Sequence, residues 1–304
     1  MELILIIFIL TLILALLAAW WLVQNRGISE TTDLPYKTSR IHRYKDLDIH
    51  YQQSGKGKDL VLLHGIGAST YIWRYLIPIL EKNFRVTAVD IVGFGLSGKY
   101  PNYDYGLDSQ TKTTHEFLLD IGIDEAYLVG SSMGGAIALW MAKTYPASYK
   151  KIVAMSPAVN PKHTKNIRLS YINLMGKRFR LFLNAQVMSQ ALRFVVAKKE
   201  LYAKEHIAAY LRPYQDDGSS IVSFMRAFDS LLKDRRLPHD LKNVTSQVLL
   251  IWGKRDLLTP IRYASEIEKI LPHATLVVHE TAGHHMMEEE PEWTAENLAA
   301  FLRP

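Results

Sequence analysis

The apolar and polar positions along the chain fall into three regimes. Leu3 through Val23 forms a run of 21 residues interrupted only by Thr11. As a helix this run spans about 31 Å at 1.5 Å per residue, enough for the hydrocarbon core of a bilayer. Trp20 and Trp21 stand at its C-terminal end, where indoles favour the headgroup region. A cleaved signal peptide needs a positive leader, a shorter apolar stretch and small residues at the cleavage site. Here the leader carries Glu2 and no Lys or Arg, and the run ends in bulky residues. No face is polar, which argues against a buried core helix. The pattern predicts an uncleaved transmembrane anchor over residues 1–25.

From about residue 36 the pattern alternates between strand and helix periods. Residues 40–53 alternate polar and apolar and then turn at Gly55 and Gly57, predicting an antiparallel hairpin. Short apolar runs at Leu60–Leu63, Phe84–Ile91, Tyr127–Val129 and Ile152–Met155 predict buried strands. Helical patterns separate them at 70–81, 107–121 and 133–144, the last stopping before Pro146. Strands apolar on both faces, alternating with helices, imply a largely parallel α/β sheet covered on both sides. The alternation lapses over 160–238, where helical patterns dominate. It resumes with a strand at Val248–Trp252, a helix near 261–271, a strand at Leu276–Val278 and a helix over 291–302. The expected organisation is an anchor, an α/β core made of 36–159 and 239–304, and a helical cap over 160–238.

Composition sharpens this picture. The 304 residues contain no cysteine, which excludes a disulfide scaffold, a thiolate metal site and a cysteine nucleophile. The net charge of +6 is unevenly placed. Residues 160–238 hold 15 Lys and Arg against 6 Asp and Glu, whereas the remainder holds 21 against 24. A basic helical segment beside an anchor fits anionic headgroups, and no nucleic-acid motif accompanies it. Arg26, Lys37, Arg40, Arg43 and Lys45 follow the apolar run, which by the positive-inside rule puts the catalytic domain in the cytoplasm.

The candidate chemistry centres on Gly130-Ser131-Ser132-Met133-Gly134-Gly135, between a predicted strand and a predicted helix. G-x-S-x-G in that setting is a nucleophile elbow. An abrupt strand-to-helix turn needs small residues two before and two after the serine, and Gly130 and Gly134 supply them. A serine hydroxyl needs a base. His284, in Gly283-His284-His285 and upstream of Glu289-x-Pro291, is the candidate over its neighbour His285. A carboxylate must orient that base. Asp256 follows the Val248–Trp252 strand, whereas the alternative position after the preceding strand reads Ser156-Pro157-Ala158. Acyl transfer also needs an oxyanion hole. Its donors are expected to be the Met133 N–H and the Ile66 N–H, the latter in the loop His64-Gly65-Ile66-Gly67. His64 and Asp90 are expected to be structural.

Together these motifs resemble the α/β-hydrolase family over roughly residues 40–304. With the apolar N-terminus the chain is similar to the membrane-anchored monoacylglycerol lipases and carboxylesterases of that family. The resemblance implies a serine esterase or lipase with a helical cap and no cofactor or metal. The implied partners are a small-molecule ester or lipid substrate and a membrane, with no nucleic acid. A carbon–carbon bond hydrolase or an acyltransferase would use the same triad, and a non-catalytic binding module would keep the fold. Ser132 at the elbow, where haloalkane dehalogenases and epoxide hydrolases carry aspartate, departs from those two branches.

Overall fold

The computed structural model of the protein describes residues 37–159, 183–234 and 236–303. The expected anchor at 1–25 and the first part of the expected cap, 160–182, lie outside these residues. Among the described residues no helix is long and apolar enough to cross a membrane.

Eight strands form one sheet in the order β1-β2-β4-β3-β5-β6-β7-β8. They are β1 (Ser39–Tyr44), β2 (Leu47–Ser54), β3 (Lys58–Leu63), β4 (Phe84–Val89), β5 (Tyr127–Ser131), β6 (Lys151–Met155), β7 (Gln247–Gly253) and β8 (Ala274–His279). β2 runs antiparallel to β1 and β4, and all other pairings are parallel. The hairpin expected over 40–53 is present, but its turn is at Lys45 and Asp46, with Lys45 at φ +51°. Gly55 and Gly57, both at positive φ, instead steer the chain from β2 into β3.

The central strands are buried on both faces, as their continuous apolar runs require. Leu60 and Leu62 face one core with Val129, Val153 and Ile251, and Val61 and Leu63 face the other with Leu128, Ala154 and Trp252. The second of these layers is covered by α1 (Leu107–Asp120), α2 (Met133–Thr144) and, after β7, α6 (Arg262–Ile270). The first is covered by α7 (Pro291–Leu302) and by the segment holding Ile72, Trp73 and Leu76. That segment is not the continuous helix expected over 70–81. It is a 3₁₀ turn at Thr70–Trp73 followed by a separate turn at Ile77–Leu80. Pro78 explains the break: it has no N–H, and its ring would clash with the carbonyl of residue 74 in a continuous helix.

Between β6 and β7 the described chain is helical, with α3 (Ala185–Val195), α4 (Lys204–Leu211) and α5 (Ser219–Lys233). Asn184 caps α3, its side chain accepting from the Gln186 and Val187 N–H groups. Met188 and Leu192, four apart, bury one side of α3 in the same core as Ile207 and Tyr210 of α4. This helical segment bonds the loops after β3 and β8, through the Tyr214 hydroxyl to the Gly67 carbonyl and the Val195 carbonyl to the His284 N–H.

Candidate active site

The turn from β5 into α2 is forced into an unusual backbone. Ser132, between them, has φ +52° and ψ −114°. An L-residue at such a φ is strained and persists only when its surroundings fix it. Here Ser132 N–H donates to the Met155 carbonyl at 2.9 Å, and its own carbonyl accepts from Ala136 and Ala158 N–H at 3.0 Å each. The flanking glycines are steric necessities. A Cβ on Gly130 would run into the Gly134 carbonyl, and one on Gly134 into the Leu63 and His64 carbonyls. Gly134→Ala is therefore expected to destabilise by about 3 kcal/mol, the upper end for overpacking, because backbone rather than a flexible side chain must give way. A urea or thermal unfolding midpoint measures it.

Asp256 follows β7 at the bottom of a tight turn. Its Oδ1 accepts the Leu258 N–H at 2.9 Å and the Thr259 N–H at 2.8 Å, and its Oδ2 accepts the Thr259 hydroxyl at 2.8 Å. The same Oδ2 lies 2.7 Å from His284 Nδ1. An ionised carboxylate can only accept, so the shared proton sits on Nδ1, and in the neutral imidazole Nε2 then keeps its lone pair. Burial pushes the Asp256 carboxyl up, but His284 beside it and the Thr259 N–H outweigh burial and hold it below the usual aspartate range. Ser132, Asp256 and His284 are 9%, 4% and 2% exposed. Among the described residues none is hydrogen-bonded to Ser132 Oγ.

The two expected oxyanion donors are available. Met133 opens α2, so its N–H has no partner within the helix. Among the described residues neither it nor the Ile66 N–H donates to another group. Gly65 is close enough that a Cβ on it would sit 3.2 Å from Ser132 Cβ. Gly67, at φ +73°, turns its carbonyl toward the helical segment, where the Tyr214 hydroxyl donates to it at 2.9 Å.

His64 and Asp90 spend their polar atoms on hydrogen bonds within the fold. The Ile91 N–H donates to His64 Nε2 at 3.0 Å and His64 Nδ1 donates to the Gly65 carbonyl at 2.7 Å. That fixes a neutral tautomer with no spare lone pair, and burial lowers its pKa. Asp90 accepts from the Thr70 N–H at 2.6 Å, the Leu96 N–H at 2.8 Å and His50 Nδ1 at 2.7 Å. It thus ties the loops after β3 and β4 together. Burial opposes ionisation of Asp90, but His50 and His64 hold its pKa down.

These carboxyls set a pH dependence. A carboxyl with a lowered pKa binds fewer protons folded than unfolded. Its stabilisation is complete above the ordinary aspartate value of about 3.9 and is lost as pH falls through the lower folded value. Glu289, raised by burial, opposes this. Asp256, Asp90 and Glu288, all lowered, outnumber it three to one. The urea midpoint is expected to fall below about pH 4, which a titration of midpoint against pH measures.

Several residues of the site carry no obvious sequence signature. Thr259 anchors Asp256, and Asp-x-x-Thr is a weak capping pattern that could have marked it. The His284 N–H donates to the Val195 carbonyl of α3 at 2.8 Å, a backbone bond no side-chain pattern reveals. Glu289 accepts from the Gly283 N–H at 3.0 Å and the Ala197 N–H at 2.8 Å, tying the histidine loop to the chain after α3.

With the sheet order and this constellation in view, the comparison with known proteins is direct. A family model described as alpha/beta hydrolase fold matches residues 59–291. The chain belongs to the α/β-hydrolase family. It is 30% identical over 261 residues to the uncharacterized hydrolase YugF of Bacillus subtilis (strain 168), covering 84% of this chain and 93% of that one. It is 27% identical over 263 residues to the pimeloyl-acyl-carrier protein methyl ester esterase of Vibrio vulnificus (strain YJ016), covering 84% and 98%. A crystal structure of a membrane phospholipase A described as a bacterial virulence factor shares the fold, with a TM-score of 0.74 and 24% identity. That alignment covers 99% of this chain and 98% of the other. The protein is thus an α/β-family hydrolase, and its hydrolase relatives include esterases.

Proposed function

We propose that the protein is a serine esterase acting on carboxylic esters, lipid-like ones among them, through Ser132, His284 and Asp256. The observation that carries the reading is the buried His284–Asp256 hydrogen bond of 2.7 Å at the same sheet end as the strained Ser132 elbow. Ester cleavage by the Vibrio vulnificus relative supports it.

In this reading a substrate carbonyl seats against Gly65, and the Ser132 hydroxyl rotates onto His284 Nε2. Catalytic hydrogen bonds of this kind often tighten only when substrate is bound. Nε2 takes the hydroxyl proton as Oγ attacks the carbonyl carbon. The carbonyl oxygen becomes an oxyanion held by the Ile66 and Met133 N–H groups, with the N-terminus of α2 behind it. Asp256 stabilises the imidazolium without taking its proton. His284 then protonates the leaving alcohol, and Ser132 is left acylated. Water, deprotonated by His284, attacks the acyl carbon; the proton returns to Oγ and the acid departs. Every step uses side chains and backbone alone, so the reading includes no cofactor or metal.

The lipid preference rests on the Leu3–Val23 run and the +9 charge of residues 160–238. The proposed organisation is an anchor at 1–25, a core at 36–159 and 239–304, and a cap at 160–238. The catalytic domain then lies on the cytoplasmic side, close to anionic headgroups and to esters dissolved in the bilayer. The test is a panel of short and long p-nitrophenyl esters, monoacylglycerols and vinylogous diketones. Turnover of esters, with kcat/KM rising with acyl length, is expected. Cleavage of the diketones alone would move the reaction to carbon–carbon bonds, and transfer to an added alcohol in place of hydrolysis would make it an acyltransferase.

A further inference from the structure

Beside the His284–Asp256 pair lies a second buried histidine–carboxylate pair that the proposed mechanism does not use. His285 Nδ1 sits 2.6 Å from an Oε2 of Glu288, and the Glu288 side chain is 1% exposed. Three different parts of the chain converge on that carboxylate. Arg74, after the loop that carries Ile66, donates to Oε1. Tyr210 of α4 donates its hydroxyl to Oε2 and also lies 3.2 Å from His285 Nδ1. His285 itself is the residue after His284, and the two imidazoles stand 5.7 Å apart.

The helix α4 side of this cluster is built for docking. His206 and Tyr210 are four apart and so share a face. The Tyr71 hydroxyl lies 2.6 Å from His206 Nδ1, and the Tyr71 and Tyr210 rings meet edge to face at 5.7 Å. The Arg74 guanidinium lies over the rings of both Tyr71 and Tyr75, at 4.1 and 4.2 Å. An arginine over two rings, with one nitrogen on a buried carboxylate, has few alternative placements. A buried ionic cluster of this kind is a weak source of net stability, and its best-attested use is to fix one arrangement over others.

A second link ties the same loop to the end of α3. His284 N–H donates to Val195 O at 2.8 Å, and Glu289 joins the Ala197 N–H to the Gly283 N–H. Successive glutamates thus fasten the histidine loop to α4, through Tyr210, and to the chain just past α3, at Ala197.

We infer that Glu288 and Tyr210 are positioning residues: through His285 they register helix α4 on the histidine loop and thereby fix where His284 stands relative to Ser132. The inference rests on the reading of Ser132 and His284 as nucleophile and base. It makes the helical segment part of the catalytic frame and not only a wall of the substrate pocket.

The test uses the full-length protein in detergent, with Tyr210→Phe, Glu288→Gln and the double variant. Substrates are p-nitrophenyl acetate and p-nitrophenyl decanoate, and Ser132 is titrated with a fluorophosphonate. Well below the melting temperature each single variant is expected to lower kcat about tenfold on both esters, with KM within about twofold. The double variant is expected to match the worse single one, because the Tyr210 hydroxyl acts through the Glu288 carboxylate. A role confined to stability would lower the melting temperature and leave kcat per titrated site unchanged. A role confined to the substrate pocket would raise KM for the decanoate alone. Either result overturns the inference, as does full additivity. Should Glu288→Gln fail to fold, Tyr210→Phe, which removes one hydroxyl, decides the matter by the same kcat criterion. A wild-type protein that neither reacts with the fluorophosphonate nor hydrolyses either ester would overturn the reading of Ser132 instead, so the two failures are distinct.

Discussion

Ser132→Ala is expected to lower ester hydrolysis by about 10⁴-fold or more while leaving the fold intact. The size follows from the chemistry: without Oγ no acyl-enzyme forms, and what remains is water attacking a carbonyl polarised by two N–H donors. The fold survives because Ser132 contributes backbone bonds to Met155, Ala136 and Ala158, none of which needs its side chain. The same site makes a second, opposite expectation about stability. At φ +52° a side chain costs about 1–3 kcal/mol, which glycine avoids, while glycine costs about 0.5–1 kcal/mol in chain entropy. Ser132→Gly should therefore be inactive and melt at or above the wild-type temperature. Loss of activity with gained stability would mark the strain as retained for the nucleophile. Thermal melts and initial rates on p-nitrophenyl esters, run on the same samples, measure both.

Asp256→Asn is expected to lower kcat by about 10⁴-fold with little change in KM. The amide can still fill the turn, since its oxygen can accept the Leu258 and Thr259 N–H groups as Oδ1 does now. The atom facing His284 changes role. Oδ2 accepts from Nδ1 and from the Thr259 hydroxyl, whereas an NH₂ in its place can only donate. It would donate to the Nδ1 lone pair, leaving the proton on Nε2, the wrong tautomer for a base. Rates should recover as pH rises, once hydroxide rather than His284 activates the serine. A kcat profile from pH 6 to 10 checks this: the wild type should plateau, and the variant should climb throughout. Equal rates in the two proteins at neutral pH would remove Asp256 from the mechanism.

What could be read from sequence, and what could not, divides by the range of the interaction. The elbow is a local steric problem, and its solution is written in adjacent letters: Gly130 and Gly134 flank Ser132 because carbonyls press against both. The buried strands were equally legible, since a strand covered on both faces must be apolar throughout, as Leu60–Leu63 is. The apolar periodicity over 70–81 suggests one helix, but Pro78 breaks it into two turns. Gly55 and Gly57 suggest the hairpin turn, but Lys45, at φ +51°, makes it. His284 bonds Asp256, whereas His285 bonds Glu288. Its actual partners, Glu288 three residues on and Tyr210 from α4, could not be found by spacing, because the pairing with Tyr210 exists only once the helical segment is folded onto the core. The bond from His284 N–H to Val195 is invisible for the same reason.

The central claim is that Ser132 becomes covalently acylated during turnover. The most direct measurement is mass spectrometry of the full-length protein treated with a fluorophosphonate, followed by peptide mapping. The account predicts one adduct per chain on the peptide containing Ser132, blocked by prior incubation with an ester substrate and absent from Ser132→Ala. An adduct on any other residue, or labelling that persists in Ser132→Ala, would contradict it.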